Sequence, residues 1–345
     1  MAQAQDIGTL STPVRSTPAR DVFRCRVCGS PQIVGAGTVE FYFGYASPIF
    51  DCAACGCRFT RHDAAAYDRL YALKSSCYSR YSEFVAAVKP LFDRGDLAAL
   101  RAELEKSSRY RFVIETLAAL PPAARLLEIG ASRGHLTSYF ILAGRDVTGV
   151  DVSPTAVAAA TTAFGEHFVL AGDARIQARA PYDAIYHVGT IGCVGDPVAM
   201  TQELLRLLKP GGLLLFNAPN REACALQGQL WFDSAPPPDL VTLYRPGFWQ
   251  RFAAAAQVQE TVESESPQRN VVVALRRLFG RRWQRPQPMS LDRSRELSAL
   301  APSASGALWS LAERATRKLA GLTGLDRLAP AQPSEYGLFV VMRKK

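Results

Sequence analysis

No stretch of this sequence approaches the roughly 18 to 20 uninterrupted apolar residues that a helix needs to span a bilayer. Its N-terminus lacks a basic region followed by a hydrophobic run, so no secretory leader is expected, and the reading is a cytoplasmic chain with reduced thiols. Histidine is scarce: there are 4, and the 158 residues after His187 hold none. Chemistry that needs a late imidazole is thereby excluded. No internal repeat is detectable, which argues against a solenoid or propeller. A charge excess of one sign is also missing over most of the chain, because residues 1–268 carry 25 Lys and Arg against 26 Asp and Glu.

What is present is ordinary globular composition, 48% hydrophobic and 21% charged. A chain of 345 residues accommodates one α/β domain of about 150 to 200 residues with smaller pieces attached. The net charge of +9 resides in residues 269–345, where 15 Lys and Arg face 5 Asp and Glu. Such a segment suits contact with an anionic membrane surface or RNA, or is simply a solvated face. Val271 to Arg285 mixes basic and apolar residues as a surface-lying element would, although a lid over a site needs no charged partner.

Composition and periodicity divide the chain. Residues 1–20 are polar and aperiodic, as in a disordered tail. Residues 21–62 carry five of the eight cysteines, and residues 63–120 read as a helical connection stopped by Pro121-Pro122. From 121 to 265, buried-strand runs (Arg125–Ile129, Asp146–Val150, Phe168–Leu170, Asp183–Tyr186, Gly212–Phe216) alternate with helical stretches such as Pro154–Phe164 and Pro197–Leu208. Alternation of this kind predicts an α/β fold, a Rossmann-like doubly wound parallel sheet. Residues 266–333 then read as a basic insertion ahead of a last strand in 334–345.

Cys25-Arg-Val-Cys28-Gly and Cys52-Ala-Ala-Cys55-Gly are two Cys-x-x-Cys-Gly knuckles. Each offers two thiolates from one turn, and together they complete a closed tetrahedral four-sulfur site of the structural zinc type. Disulfides are the alternative, disfavoured where thiols stay reduced. Cys57 is a substitute ligand; Cys77, Cys193 and Cys224 read as small core residues.

In Leu126-Leu-Glu-Ile-Gly-Ala-Ser-Arg-Gly-His135 a strand runs into a glycine turn and then a helix, which brings backbone N–H groups close to a ligand. The next strand ends at Asp151, placed to accept hydrogen bonds from both hydroxyls of a ribose. The turn also fits the Gly-x-Ser-x-Gly nucleophile elbow, with Ser132 as nucleophile, but that triad needs a late histidine and the chain has none.

These residues resemble the class I S-adenosylmethionine-dependent methyltransferases, in which an acid precedes Gly-x-Gly-x-Gly and a second acid ends strand two. Glu128, Gly130, Gly134 and Asp151 match, and Ser132 stands at the middle glycine. The likeness continues through Asp173, where family members place an acid near the adenine, and through Leu208-Lys-Pro-Gly-Gly212 before strand five. It implies S-adenosylmethionine as cofactor, bound by Glu128, Gly130, Ser132, Gly134, Asp151 and Asp173. With the cysteine module and a Tyr-rich connection (Tyr67, Tyr71, Tyr78, Tyr81), the chain resembles bacterial zinc-ribbon methyltransferases. That likeness implies a small-molecule, sugar or glycoconjugate acceptor.

The family's Glu-His after strand four is replaced by Gly192-Cys193, so His187 is the remaining candidate base, against a structural role. Alignment alone can also drive methyl transfer. Asp233, Asp239 and Arg245 lie in the expected acceptor loop, whereas Phe248, Trp249 and Phe252 read as core. An RNA methyltransferase and a non-catalytic cofactor-binding protein are the alternative readings.

Overall fold

The structure is a computed structural model and describes residues 23–40, 46–77, 79–226, 229–232, 235–264, 271–272, 304–324 and 333–345. The expected tail, most of the basic insertion and Asp233 lie outside these residues.

The chain begins with an antiparallel meander, β1 (Ile33–Glu40), β2 (Ala46–Cys52) and β3 (Arg58–Thr60). Four helices follow: α1 (Ala64–Cys77), α2 (Ser79–Asp93), α3 (Leu97–Leu104) and α4 (Ser108–Leu117). The α/β part then runs β4 (Arg125–Ile129), α5 (Thr137–Leu142), β5 (Asp146–Asp151), α6 (Pro154–Phe164), β6 (Phe168–Leu170), α7 (Ala174–Ala178), β7 (Tyr182–His187), α8 (Pro197–Leu207) and β8 (Leu208–Ala218). After α9 (Arg221–Leu226), β9 (Thr242–Leu243) and a 3-10 turn at Phe248–Phe252 come β10 (Ala256–Ser264), α10 (Ala304–Thr323) and β11 (Pro333–Lys344).

The main sheet has the order β10-β11-β8-β7-β4-β5-β6. Strands β4 to β8 run parallel, and β11 lies antiparallel between β8 and β10. Both faces are covered, which is why the inner strands read as continuous apolar runs. Leu126, Val147, Leu213 and Leu215 pack under α3 to α6, while their neighbours Leu127, Leu214 and Phe216 face the opposite core. Strand order reverses between β4 and β7, so a crevice opens there at the carboxyl ends of the strands.

The cysteine-bearing meander is fused to this body. Cys25, Val27, Cys52 and Phe59 share one core with Phe216 and Trp249, and β9 extends the meander by pairing with β3. Arg26 donates to the carbonyls of Val194, Gly195 and Thr60, at 2.8, 2.6 and 3.3 Å. Arg58 reaches the Leu230 carbonyl at 3.0 Å, and Arg251 reaches that of Val27 at 3.3 Å. Within the insertion expected from sequence, the described part contains a 20-residue helix, α10. No helix among the described residues is long and apolar enough to cross a membrane.

Arg26 pairs with three carbonyls that would otherwise lose their donor. Arg26→Ala is expected to cost about 2 kcal/mol of unfolding free energy in urea titration. Arg24→Ala, which removes a single exposed contact to Gly29, is expected to change the midpoint little.

Candidate functional site

The turn leaving β4 is wound by left-handed residues: Gly130 has φ 75°, Ser132 φ 50° and Gly134 φ 78°. Gly130 and Ala131 both donate N–H to the Val150 carbonyl, at 2.8 and 2.9 Å, which folds the turn back over β5. A Cβ at Gly134 would come within 2.5 Å of the Phe168 ring, so glycine is required there for packing as well as conformation.

Asp151, at the end of β5, is 3% exposed. Its Oδ2 accepts the Ser132 N–H at 2.8 Å and its Oδ1 the Ser153 N–H at 2.9 Å. The Tyr71 hydroxyl of α1 lies 3.0 and 3.1 Å from the two carboxylate oxygens. Burial raises the Asp151 pKa above the ordinary value, against the pull of these donors.

Glu128, one pleat before the turn, accepts from the Thr137 hydroxyl at 2.5 Å and the Tyr186 hydroxyl at 3.1 Å. Burial pushes its carboxyl up to about 7. Glu128, Gly130, Ser132 and Asp151 all line one cleft of about 330 Å³ at the crevice between β4 and β7. Gly134 supports the turn from behind and is absent from the cleft wall.

Two predicted residues sit elsewhere. Asp173 caps α7 through the Arg175 N–H at 2.8 Å and forms an ion pair with the Arg175 side chain, which lowers its pKa. The cleft wall at this point is Ala171, Gly172 and Ile176 instead. His187, the candidate base expected from sequence, is likewise absent from the cleft wall. Its ring is fully buried and stacked on Phe216 at 4.7 Å, and burial holds its pKa near 3. The pleat explains this placement: the residues after it, Val188, Gly189 and Thr190, line the cleft, while His187 points into the core.

Beyond Thr190 the cleft wall continues through Cys193, Ala235, Asp239, Leu240 and Tyr336. Cys193 was expected in the core and lies in this wall instead, whereas Cys224 is buried. Phe248, Trp249 and Phe252 are core residues, and Arg245 packs over Gly56 of the second knuckle.

Sequence reasoning missed Arg109, Tyr110, His135 and the roles of Tyr67 and Tyr71, all lining the cleft. Arg109 lies over the Tyr336 ring at 5.4 Å, and no carboxylate among the described residues pairs with it. His135 is hydrogen-bonded to the Tyr110 hydroxyl and stacked on Phe84. Burial, helped by the Arg109 charge, lowers its pKa to about 4, so the ring is neutral at physiological pH. Apart from His135, which directly follows Gly134, these residues come from helices upstream of the glycine turn and reach it only through packing. The cluster of tyrosines in 67–81 was the one sequence signal available.

The Sγ atoms of Cys25, Cys28, Cys52 and Cys55 all lie within 4.8 Å of one another, with Cys25–Cys55 at 3.8 Å and Cys28–Cys52 at 3.5 Å. A tetrahedral site with metal–sulfur bonds of about 2.3 Å requires sulfur–sulfur separations of about 3.8 Å, so the cluster has the size for a zinc ion. Cys57 is buried nearby and is not part of the four-sulfur group.

Because the folded state raises the Glu128 pKa from 4.5 to about 7, it binds a proton there more tightly than the unfolded chain does. That contribution is fully present below pH 4.5 and is lost as pH rises to about 7. Glu128→Gln keeps an acceptor without the charge. Its stability relative to wild type is expected to increase by ~2 to 3 kcal/mol between pH 5 and pH 8, read from urea titrations at each pH.

The family described as a methyltransferase domain matches residues 100–259. Ubiquinone biosynthesis O-methyltransferase of Xylella fastidiosa is 34% identical over 110 residues, 30% of this chain and 44% of that protein. The Xanthomonas campestris protein of the same name is 33% identical over 112 residues, 30% of this chain and 46% of its own. The chain thus spans less than half the length of these curated relatives. Among solved structures, the YcgJ protein from Bacillus subtilis is similar at 16% identity and a TM-score of 0.40, over 68% of this chain and 97% of that one. Residues 100–259, which hold strands β4 to β8 of the main sheet, are thus similar to the methyltransferase-domain family.

Proposed function

We propose that the protein transfers a methyl group from S-adenosylmethionine to a small-molecule, sugar or glycoconjugate acceptor. The observation that carries this reading is the Asp151 carboxylate, fixed by Ser132 and Ser153 backbone N–H groups at the wall of the cleft where the glycine turn ends. A carboxylate so placed suits a ribose diol. The cofactor, when bound, supplies an electrophilic methyl group on a sulfonium.

The chain's own residues hold and align. Ala171, Gly172 and Ile176 offer an apolar wall next to Asp151 for a base. Arg109, a cation in the cleft beside His135 and Tyr336, suits the carboxylate of an amino-acid tail. Gly189 and Thr190 at the end of β7 leave room for the acceptor, and Cys193, Ala235, Leu240 and Tyr336 form its largely apolar surroundings. Asp239 is the carboxylate on that side and orients a hydroxyl or amine. His187, buried away from the cleft, takes no part, so alignment of nucleophile and methyl group carries the rate.

We further assign a structural zinc ion to Cys25, Cys28, Cys52 and Cys55. Four sulfurs would complete a closed tetrahedral site with no open position for substrate, so this ion would organise the meander and its contacts with the cleft loops.

Calorimetry with S-adenosylhomocysteine tests the cofactor reading: wild type is expected to bind it, and a folded sample that does not bind would overturn the reading. Arg109→Gln should weaken S-adenosylhomocysteine about tenfold, ~1.4 kcal/mol, while leaving adenosine, which has no carboxylate, nearly unchanged. Metal analysis under reducing conditions should find close to one zinc per chain, and a value well below one would count against the four-sulfur site. Methylated product is expected in nuclease-treated small-molecule fractions of a cell extract; product confined to RNA would reassign the acceptor.

A further inference from the structure

The Tyr71 hydroxyl occupies the outward edge of the Asp151 carboxylate. Each carboxylate oxygen already accepts one backbone N–H, from Ser132 or Ser153, and the phenolic oxygen straddles what remains, at 3.0 and 3.1 Å. A vicinal diol binds a carboxylate by placing one hydroxyl on each oxygen of that same edge. Asp151 is 3% exposed, so no second approach is open to it. Resting on the cofactor reading above, we propose that Tyr71 gates the nucleoside subsite: its hydroxyl and a ligand's ribose diol compete for Asp151, and binding moves α1 off the cleft.

Three features favour movement of α1 over movement of the acid. Asp151 is tied to backbone on both sides, through the glycine turn and the start of α6, and cannot shift without unwinding either. Helix α1 lies at the rim of the cleft: among its described side chains, residues 64–72, Leu70 is the one that is buried. Tyr67, one turn earlier, stacks on Tyr71 with ring centroids 5.8 Å apart and planes 11° apart, and both rings line the cleft, so the pair moves as one wall. The exchange favours the ligand because a diol brings two donors where the phenol brings one proton shared between two oxygens. In its place on Asp151, Tyr71 adds a hydroxyl donor to a buried carboxylate already held by backbone N–H groups.

The test compares wild type with Tyr71→Phe, which keeps the ring and its stacking and removes the competing hydroxyl. By calorimetry, S-adenosylhomocysteine is expected to bind the variant several-fold more tightly than wild type. Adenosine is expected to gain likewise, and 2′,3′-dideoxyadenosine, with no diol, to gain less. Hydrogen exchange on wild type is expected to show residues 66–77 exchanging faster once S-adenosylhomocysteine is added, while residues 130–134 slow. Equal or weaker binding by Tyr71→Phe would overturn the gate and assign Tyr71 to holding the ligand, with the cofactor reading intact. Unchanged or slowed exchange in α1 would overturn it also. Failure of wild type to bind S-adenosylhomocysteine at all would instead remove the cofactor reading and the gate with it.

Discussion

The Asp151 carboxylate is the point on which the cleft is built. Burying an acid is costly unless donors surround it, and here the donors come from three separate parts of the chain: the glycine turn after β4, the first turn of α6 and helix α1. Each of those parts is thereby placed relative to the others. Gly130, Ser132 and Gly134 are all left-handed, and the tight turn they form brings the Ser132 N–H onto the acid. Phe168, pressed against Gly134, locks the same turn from the β6 side. A single polar group at the end of one strand thus fixes the register of backbone that a sheet alone would leave as an ordinary loop.

The opposite half of the cleft depends on a different source of order. Residues 192–195 and 235–243 form no long element of their own, and loops without partners do not keep a pocket in shape. They are held because the cysteine meander supplies the partners: β9 pairs with β3, the Thr60 N–H donates to the Val241 carbonyl at 3.0 Å, and Arg26 grips Val194 and Gly195. The Val241 N–H in turn reaches the Gly192 carbonyl at 2.8 Å, closing a circuit from knuckle to cleft wall. The meander behaves as the outer wall of this half of the cleft rather than as a separate module on a tether. On the proposed reading, a metal ion clamping the two knuckles would stiffen that wall without touching the acceptor.

Much of the sheet was legible because buried parallel strands are apolar on both faces and are punctuated by capped helices. Arg125–Ile129, Phe168–Leu170 and Pro154–Phe164 fall on their observed elements, helped by Ser153 and Pro154 at the helix start. The glycine turn and Asp151 were legible for the same local reason. Asp173 and His187 lie outside the cleft wall, a matter of side-chain direction that residue type alone does not reveal. Asp173 finds Arg175 two residues on, and the pleat turns His187 toward Phe216. Arg109 and Tyr71 carried no motif because their positions follow from how α4 and α1 pack, and Cys193 read as core because a small apolar residue looks the same in a core and in a cleft wall.

The charges around the cleft argue for a particular kind of occupant. Glu128 and Asp151 both resist ionisation through burial, while Arg109 is a cation with no carboxylate paired to it among the described residues. His135 stays neutral because burial disfavours its cation and the nearby Arg109 guanidinium repels a second positive charge. An uncharged ligand would leave these groups as they stand, gaining nothing from the field. A ligand with a negative terminus for Arg109 and positive charge nearer the two acids would satisfy both ends at once, and by stabilising the ionised carboxylates it would lower their pKa values. Uptake of such a ligand should therefore release protons near pH 7, where Glu128 is half-titrated. S-adenosylmethionine, with a carboxylate, an ammonium and a sulfonium, has that charge pattern, so the electrostatics of the cleft support the same reading as the diol-binding acid by an independent route.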